Sequence, residues 1–330
     1  MELILKQPFE ILVIFLLFLA LSGSTVISAI LLLGILGLVE YYRIPKVSEN
    51  DVNDVLSSTN PTVIAHRGAG NDAPENTLAA FRQAKKNGAS AVEFDLAFTC
   101  DGVPVIFHDD TMERTTNGKG TLCKLSYDYV RSLDAAAKHP LRDKHPEEKI
   151  PTFEEAVQEC LRLDLKMYID VKAFGLDLSQ AVNAIVAMYK KQPKLYSMGI
   201  VCSFNPWVIY KVRQKDQKII TSLIAQPYAF KYILGIRTKR PAEWLLSVAA
   251  FFDVLFWWCH RVWLWYLCGN SCIMLVDQVI SPCVVSYWHK RGLEVIVWTV
   301  NNWVDKQYFT NRLDLSVVSD TMVDFSEDDV

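Results

Sequence analysis

Two histidines, His66 and His108, and a carboxylate pair, Glu93 and Asp95, fall at the ends of short β-branched runs. The runs read Val63-Ile64-Ala65-His66-Arg67-Gly68, Val92-Glu93-Phe94-Asp95 and Pro104-Val105-Ile106-Phe107-His108-Asp109. Imidazoles titrate near neutral pH, so two of them can pass a proton in opposite directions. Carboxylates at i and i+2 of a strand point to one face and can share a hard cation. A third carboxylate, Asp170, lies in Tyr168-Ile169-Asp170-Val171-Lys172, where the same spacing puts the Lys172 ammonium beside it. Arg67 can grip phosphate oxygens bidentately. A cation, an arginine and two proton-transfer groups are the parts needed for metal-assisted cleavage of a phosphate ester.

Taken singly these signals are weak. A histidine after a strand is more often structural, and Glu-x-Asp on a strand is usually a solvated face. Here the flanking Val92, Phe94 and Leu96 make the other face apolar. Two carboxylates turned inward would repel unless a cation or base neutralises them, which favours a metal. The plainer roles are an ion pair with Lys172 for Asp170, a structural salt bridge for Arg67, and ordinary core for Trp298, which otherwise floors a site mouth. Asp320 can orient a site residue or pair with a base.

The elements that must position these residues alternate. Strands centre near residues 63, 92, 168, 201, 220, 273, 296 and 317, with helices such as Thr77 to Lys86, Phe153 to Leu163 and Leu178 to Lys191 between them. Asn76 is the expected N-cap of the first of these helices and Gly88 its stop. Val103 to Phe107 adds a short extended piece after the Asp101-Gly102 turn. Eight mostly apolar strands alternating with helices predict a (β/α)8 barrel. In such a barrel functional residues gather at the C-terminal strand ends, where His66, Glu93, Asp95, Asp170 and Lys172 fall.

The chain has 330 residues and a net charge of -3, which implies no basic face for nucleic acid. Its mean hydropathy of +0.15 is high for a cytosolic enzyme, and the excess is local. Ile11 to Val39 carries no charged residue and as one helix would be roughly 43 Å long, enough to cross a hydrocarbon core of about 30 Å. An uncleaved signal-anchor is the expectation, ahead of a cleaved signal peptide or a hairpin broken at Ser22-Gly23-Ser24. The layout is then an anchor and flank over 1–45, a polar linker over 46–60, and a barrel over 61–330 with a hydrophobic insertion at 242–268 after the fifth strand. Asp253, His260 and Arg261 argue against that insertion crossing the membrane, and a single crossing would prevent the barrel from closing. An amphipathic or re-entrant segment in the interface near the site mouth is expected instead. Eight cysteines show no metal-finger spacing and read as scattered, mostly buried thiols. No usable Asn-x-Ser/Thr sequon exists, since Asn60 precedes Pro61.

The runs His66-Arg67-Gly68, Pro74-Glu75-Asn76-Thr77, Glu93-Phe94-Asp95 and Gly102-Val103-Pro104-Val105-Ile106-Phe107-His108-Asp109 together resemble the signature of the glycerophosphodiester phosphodiesterase family. Val297-Trp298-Thr299-Val300-Asn301 and Ser319-Asp320 resemble its closing motifs, and the similarity covers roughly Pro61 to Thr321. The resemblance implies a TIM barrel, a divalent cation (Mg²⁺, with Ca²⁺ equally suited by ligand type) on Glu93, Asp95 and Asp170, and His66 and His108 as acid and base. In many members the third ligand is Glu in Glu-Ile-Lys; this chain has the shorter Asp170-Val171-Lys172. Arg67, Lys172 and Trp298 would bind substrate. The implied reaction is hydrolysis of a glycerophosphodiester, glycerophosphoinositol first and lysophospholipids next, to sn-glycerol 3-phosphate and an alcohol. Membrane lipid is the implied partner, at the plasma membrane or an endomembrane with the barrel lumenal or extracellular. A phospholipase C-like lyase and a non-catalytic scaffold are the competing classes.

Overall fold

The computed structural model describes residues 3, 6–56, 62–172, 178–238 and 241–323. Two compact units make up the chain, residues 1–46 with 225–270, and residues 47–224 with 271–330.

The second unit is built on nine strands: β1 (Val63–Ala65), β2 (Ala91–Phe98), β3 (Pro104–Ile106), β4 (Lys166–Val171), β5 (Gly199–Ser203), β6 (Ile220–Ala225), β7 (Cys272–Val276), β8 (Glu294–Trp298) and β9 (Ser316–Ser319). Their order is β1-β9-β8-β7-β6-β5-β4-β2-β3, and β1 also pairs with β2, so eight strands close into the expected barrel. β3 is the ninth, folded back antiparallel on β2 beyond the Asp101-Gly102 turn. Every residue of β2, β5 and β6 is buried, as a sheet covered on both faces requires. On β2 the alternation divides the labour. Phe94 packs outward on Phe81 and Phe153, rings 5.6 and 6.4 Å away, from the Leu78–Lys86 and Phe153–Leu163 helices. Glu93 and Asp95 take the inner face.

The expected linker differs from what is observed. Residues Glu49–Leu56 form a helix whose Val55 is buried with Val47, Ile64, Tyr168, Ile220, Met274 and Val318 in one core cluster. Val52 and Leu56 pack on the same cluster, so three apolar residues at helical spacing turn a polar-looking stretch into part of the barrel core. Residues 57–61 lie outside those described.

In the first unit the expected single anchor helix is two, Pro8–Ser22 and Thr25–Tyr42. Gly23 ends the first with φ +64, its N–H bonded to the Leu19 carbonyl. Glycine adopts this left-handed state without a Cβ penalty, and Ser24 then caps the second helix by accepting the Ile27 N–H. The far ends meet again, with the ammonium groups of Lys6 and Lys46 lying 5.9 and 5.5 Å from the Trp265 ring. The pair is therefore a hairpin. The insertion is also helical, Ala229–Arg237 followed by Glu243–Cys268. Asp253, costly on so apolar a helix, accepts the Phe230 and Lys231 N–H groups at 2.7 and 3.3 Å, donors that the start of the first helix would otherwise leave unpaired. Over His260–Leu264 the helix widens to a π turn, and Gln7 donates to the Arg261 and Val262 carbonyls there. By length and composition, Thr25–Tyr42 and Glu243–Cys268 are long and apolar enough to cross a membrane.

Candidate active site

The β2–β4 register places Asp95 directly beside Asp170. With Glu93 they form a cluster of buried carboxylates whose oxygens lie within 4.8 Å of one another. Like charges at this spacing repel strongly away from water. The Lys172 ammonium answers part of that charge, 3.0 Å from Asp95 Oδ1 and 2.5 Å from Asp170 Oδ2. Burial and then the Asp95 charge push Glu93 up to about 8. Burial also raises Asp170, against the pull of Lys172. Burial acts on Asp95 too, but Lys172, Arg67, His108 and the Asn76 amide outweigh it and hold this carboxyl well below the usual range. The cluster is thus short of positive charge. Asp170 Oδ1 is buried with no hydrogen-bond partner among the described residues. An all-oxygen donor set with a spare buried acceptor fits a hard divalent cation.

Both histidines are held in the same way. His66, just after β1, lies with Nδ1 2.6 Å from Asp320 Oδ1, and its Nε2 is 3.9 Å from Glu93 Oε2. Asp320 is itself fixed by Asn301, whose amide donates to Oδ2 at 2.7 Å and accepts the Asp320 N–H at 2.8 Å. Burial pulls the His66 pKa down, but the Asp320 hydrogen bond and the Glu93 charge leave it raised. His108 Nδ1 is 2.7 Å from Asp109 Oδ1. Arg114 clamps Asp109 and reaches Glu75, which also accepts from Arg67 Nη1 at 2.9 Å. A carboxylate on Nδ1 fixes the proton there and leaves Nε2 of each ring for chemistry.

Local turns bring these groups together. Arg67 has φ 53, and its N–H points to Glu93 Oε2 at 2.9 Å while Nε lies 3.5 Å from Asp95. Gly68 follows because a Cβ there would come within 2.7 Å of Ala80 Cβ. The expected cap Asn76 is not the cap. Thr77 accepts the Ala80 N–H instead, and Asn76 donates to Asp95 Oδ2 at 2.7 Å and accepts its N–H at 3.2 Å. Trp298 at the end of β8 meets Phe204 edge-on at 5.5 Å, and the Lys172 ammonium is 5.6 Å from the Phe204 ring.

Glu93, Asp95, Asp170, His66, Arg67 and Lys172 therefore stand in one contact network. His108 joins it through Asp109, Arg114 and Glu75, and Trp298 joins through Phe204. Asn76, Glu75, Asp109, Arg114 and Phe204 were missed as site residues. A hint was present for Asn76, which adjoins Thr77, a second capping-type residue where one suffices.

Residues 66–322 match the sequence model of the Glycerophosphoryl diester phosphodiesterase family. The chain belongs to this family. Glycerophosphodiester phosphodiesterase 1 of Bos taurus is 45% identical over 263 residues, 80% of this chain and 78% of that protein. The Homo sapiens protein of the same name is 43% identical over 266 residues, 81% of this chain and 80% of that one. A solved phosphodiesterase of Oleispira antarctica, in complex with the product sn-glycerol-3-phosphate, superposes with a TM-score of 0.62 at 24% identity, covering 80% of this chain and 94% of that chain. This glycerophosphodiester phosphodiesterase is thus an enzyme on the family's barrel.

Proposed function

We propose that the enzyme hydrolyses glycerophosphodiesters to sn-glycerol 3-phosphate and a free alcohol with the help of one divalent cation, Mg²⁺ first and Ca²⁺ as its competitor. The observation that supports this most is the three buried carboxylates within 4.8 Å, in one contact network with two histidines each held at Nδ1 by a further carboxylate. Glu93, Asp95 and Asp170 would hold the ion, which when bound offsets negative charge on the phosphate. Arg67 and Lys172 bring the positive charge that holds the remaining phosphate oxygens. One histidine Nε2 takes a proton from the attacking nucleophile, either water or a glycerol hydroxyl whose cyclic phosphate water then opens, and the other protonates the departing alcohol. Asp320 and Asp109 keep both rings in the tautomer that this exchange needs. Trp298 and Phe204 offer an apolar wall to the substrate.

Glycerophosphoinositol is the head group we place first, with lysophospholipids as further substrates. Membrane lipid is the partner, because two helices suit a bilayer and the first unit exposes many large apolar side chains. The enzyme is then an integral protein of the plasma membrane or an endomembrane, its barrel lumenal or extracellular. The test is a head-group panel given to the purified full-length enzyme, with chelator or with Mg²⁺, and product analysis. Release of sn-glycerol 3-phosphate only with the ion is expected. A cyclic phosphate as final product would indicate a lyase, and full turnover in chelator would refute the metal.

A further inference from the structure

The N-terminal hairpin carries polar detail that a simple anchor does not need. At its turn the hydroxyls of Ser22, Ser24 and Ser28 are all engaged locally. Ser22 Oγ accepts the Ser24 N–H at 3.2 Å, and it donates to the Ser24 carbonyl at 3.1 Å. Ser28 Oγ donates to that same carbonyl at 2.7 Å and lies 3.0 Å from Ser22 Oγ. Ser28 is fully buried, although Leu21, next to Ser22 in the chain, is 85% exposed. A turn that emerged into water would have solvent for these groups. A turn in hydrocarbon must satisfy them internally.

Length and the hairpin's base point the same way. The Pro8–Ser22 helix has 15 residues, about 22 Å, against a core of about 30 Å that takes about 20 residues to cross. At the base, Lys6 and Lys46 flank the Trp265 ring, the Arg43 guanidinium sits 4.8 Å from the Tyr266 ring, and Glu40 accepts from Tyr266 Oη at 2.8 Å. Aromatic rings with basic residues are the composition of the headgroup level. Between base and turn both helices expose apolar side chains, among them Leu12, Leu16, Leu17, Ile30 and Leu33. The insertion runs between β6 and β7 of one closed barrel, so with the barrel on one side of a bilayer the insertion must leave and re-enter on that same side of it.

We propose that the protein is monotopic, with the hairpin re-entrant: it enters the acyl region of a bilayer, turns at Ser22–Ser24 inside it and leaves by the same face. This rests on the membrane reading above, and the test separates the two. Epitope tags are placed before residue 1 and after residue 330 of the full chain, and sealed vesicles are treated with protease. In the same background, with the exposed Cys100 and Cys283 replaced by Ser, Leu21→Cys is probed with a membrane-impermeant maleimide against the parent lacking it. Both tags should be cut together or protected together. The Leu21→Cys variant should gain labelling only after denaturing detergent, not in sealed or opened vesicles. One tag cut and the other protected, or labelling at 21 in opened vesicles, overturns the re-entrant hairpin while leaving membrane binding intact. Release of the untreated protein by alkaline carbonate overturns the membrane reading itself, and the hairpin proposal with it.

Discussion

Replacing Lys172 by Met removes an ammonium that touches two of the three clustered carboxylates, and its effect can be worked from the distances. At an effective dielectric of about 20, a unit pair at the 3.0 Å separation from Asp95 is worth about 5.5 kcal/mol, with a similar value for Asp170. Most of this is cancelled by the desolvation that Lys172 no longer incurs. What remains is the cost of leaving buried charge uncompensated, about 3–5 kcal/mol. At about 2–4 °C per kcal/mol for a domain of this size, the metal-free midpoint should fall by roughly 6–20 °C. Protonation of Glu93 near neutral pH softens the repulsion and favours the lower end. Because the ammonium also repels an incoming cation, the variant should bind Mg²⁺ more tightly and regain more stability from it than the parent does. Thermal unfolding of chelator-treated, detergent-solubilised protein across a Mg²⁺ titration measures both effects. An unchanged metal-free midpoint, or a Mg²⁺ gain no larger than the parent's, would refute the charge argument.

His66→Ala and His108→Ala should each lower kcat by about 10²–10⁴-fold with the melting curve retained; steady-state assays and thermal unfolding of the same preparations check this. Asp320→Asn removes the charge that holds the proton on His66 Nδ1 and, with Asn301 keeping the amide oxygen at the Oδ2 position, turns a donor toward the ring; it should cost about 10²–10⁴-fold in kcat, with KM and the Mg²⁺ midpoint kept, which separates positioning from metal binding. Glu93 gives the pH dependence. Its folded pKa of about 8 lies above the ordinary glutamate value of 4.5, so between those values the native state holds a proton that the unfolded chain has released. Metal-free stability should therefore fall as pH rises from 6 to 8, by at most about 1.4 kcal/mol per unit, and saturating Mg²⁺ should flatten the slope; urea unfolding at both pH values decides.

The barrel was legible because its strands are continuous β-branched runs, whose burial on both faces demands nothing subtler than apolar residues. Glu93, Asp95 and Asp170 were legible because charged residues interrupt such runs only for a reason. The supporting groups were harder to see. Asp320 meets His66 across 254 residues of chain, through the closure of β9 on β1, and no local pattern encodes that partner. Arg114 looks like any exposed arginine until Glu75 and Asp109 are seen to share it. The Glu49–Leu56 helix was read as linker because its apolar residues are few, although they fall on one side. At Gly23 the apolar length of the run outweighed a glycine between two serines, and the backbone followed the glycine.

That short helix bears on how a soluble enzyme should be cut from this chain. Starting at residue 61, as the motifs suggest, would delete Val47 and Val55 from the cluster that holds Ile64, Tyr168, Ile220 and Met274, and would strip the carbonyl of Val55 from the Lys166 ammonium that binds it. The truncated barrel would open a greasy hole in its own floor and should aggregate on expression. A start at Val47, the first residue of the barrel's own unit, discards the hairpin and keeps the stopper in the bottle, and the insertion over 225–270, which belongs to the hairpin's unit, must be trimmed with it.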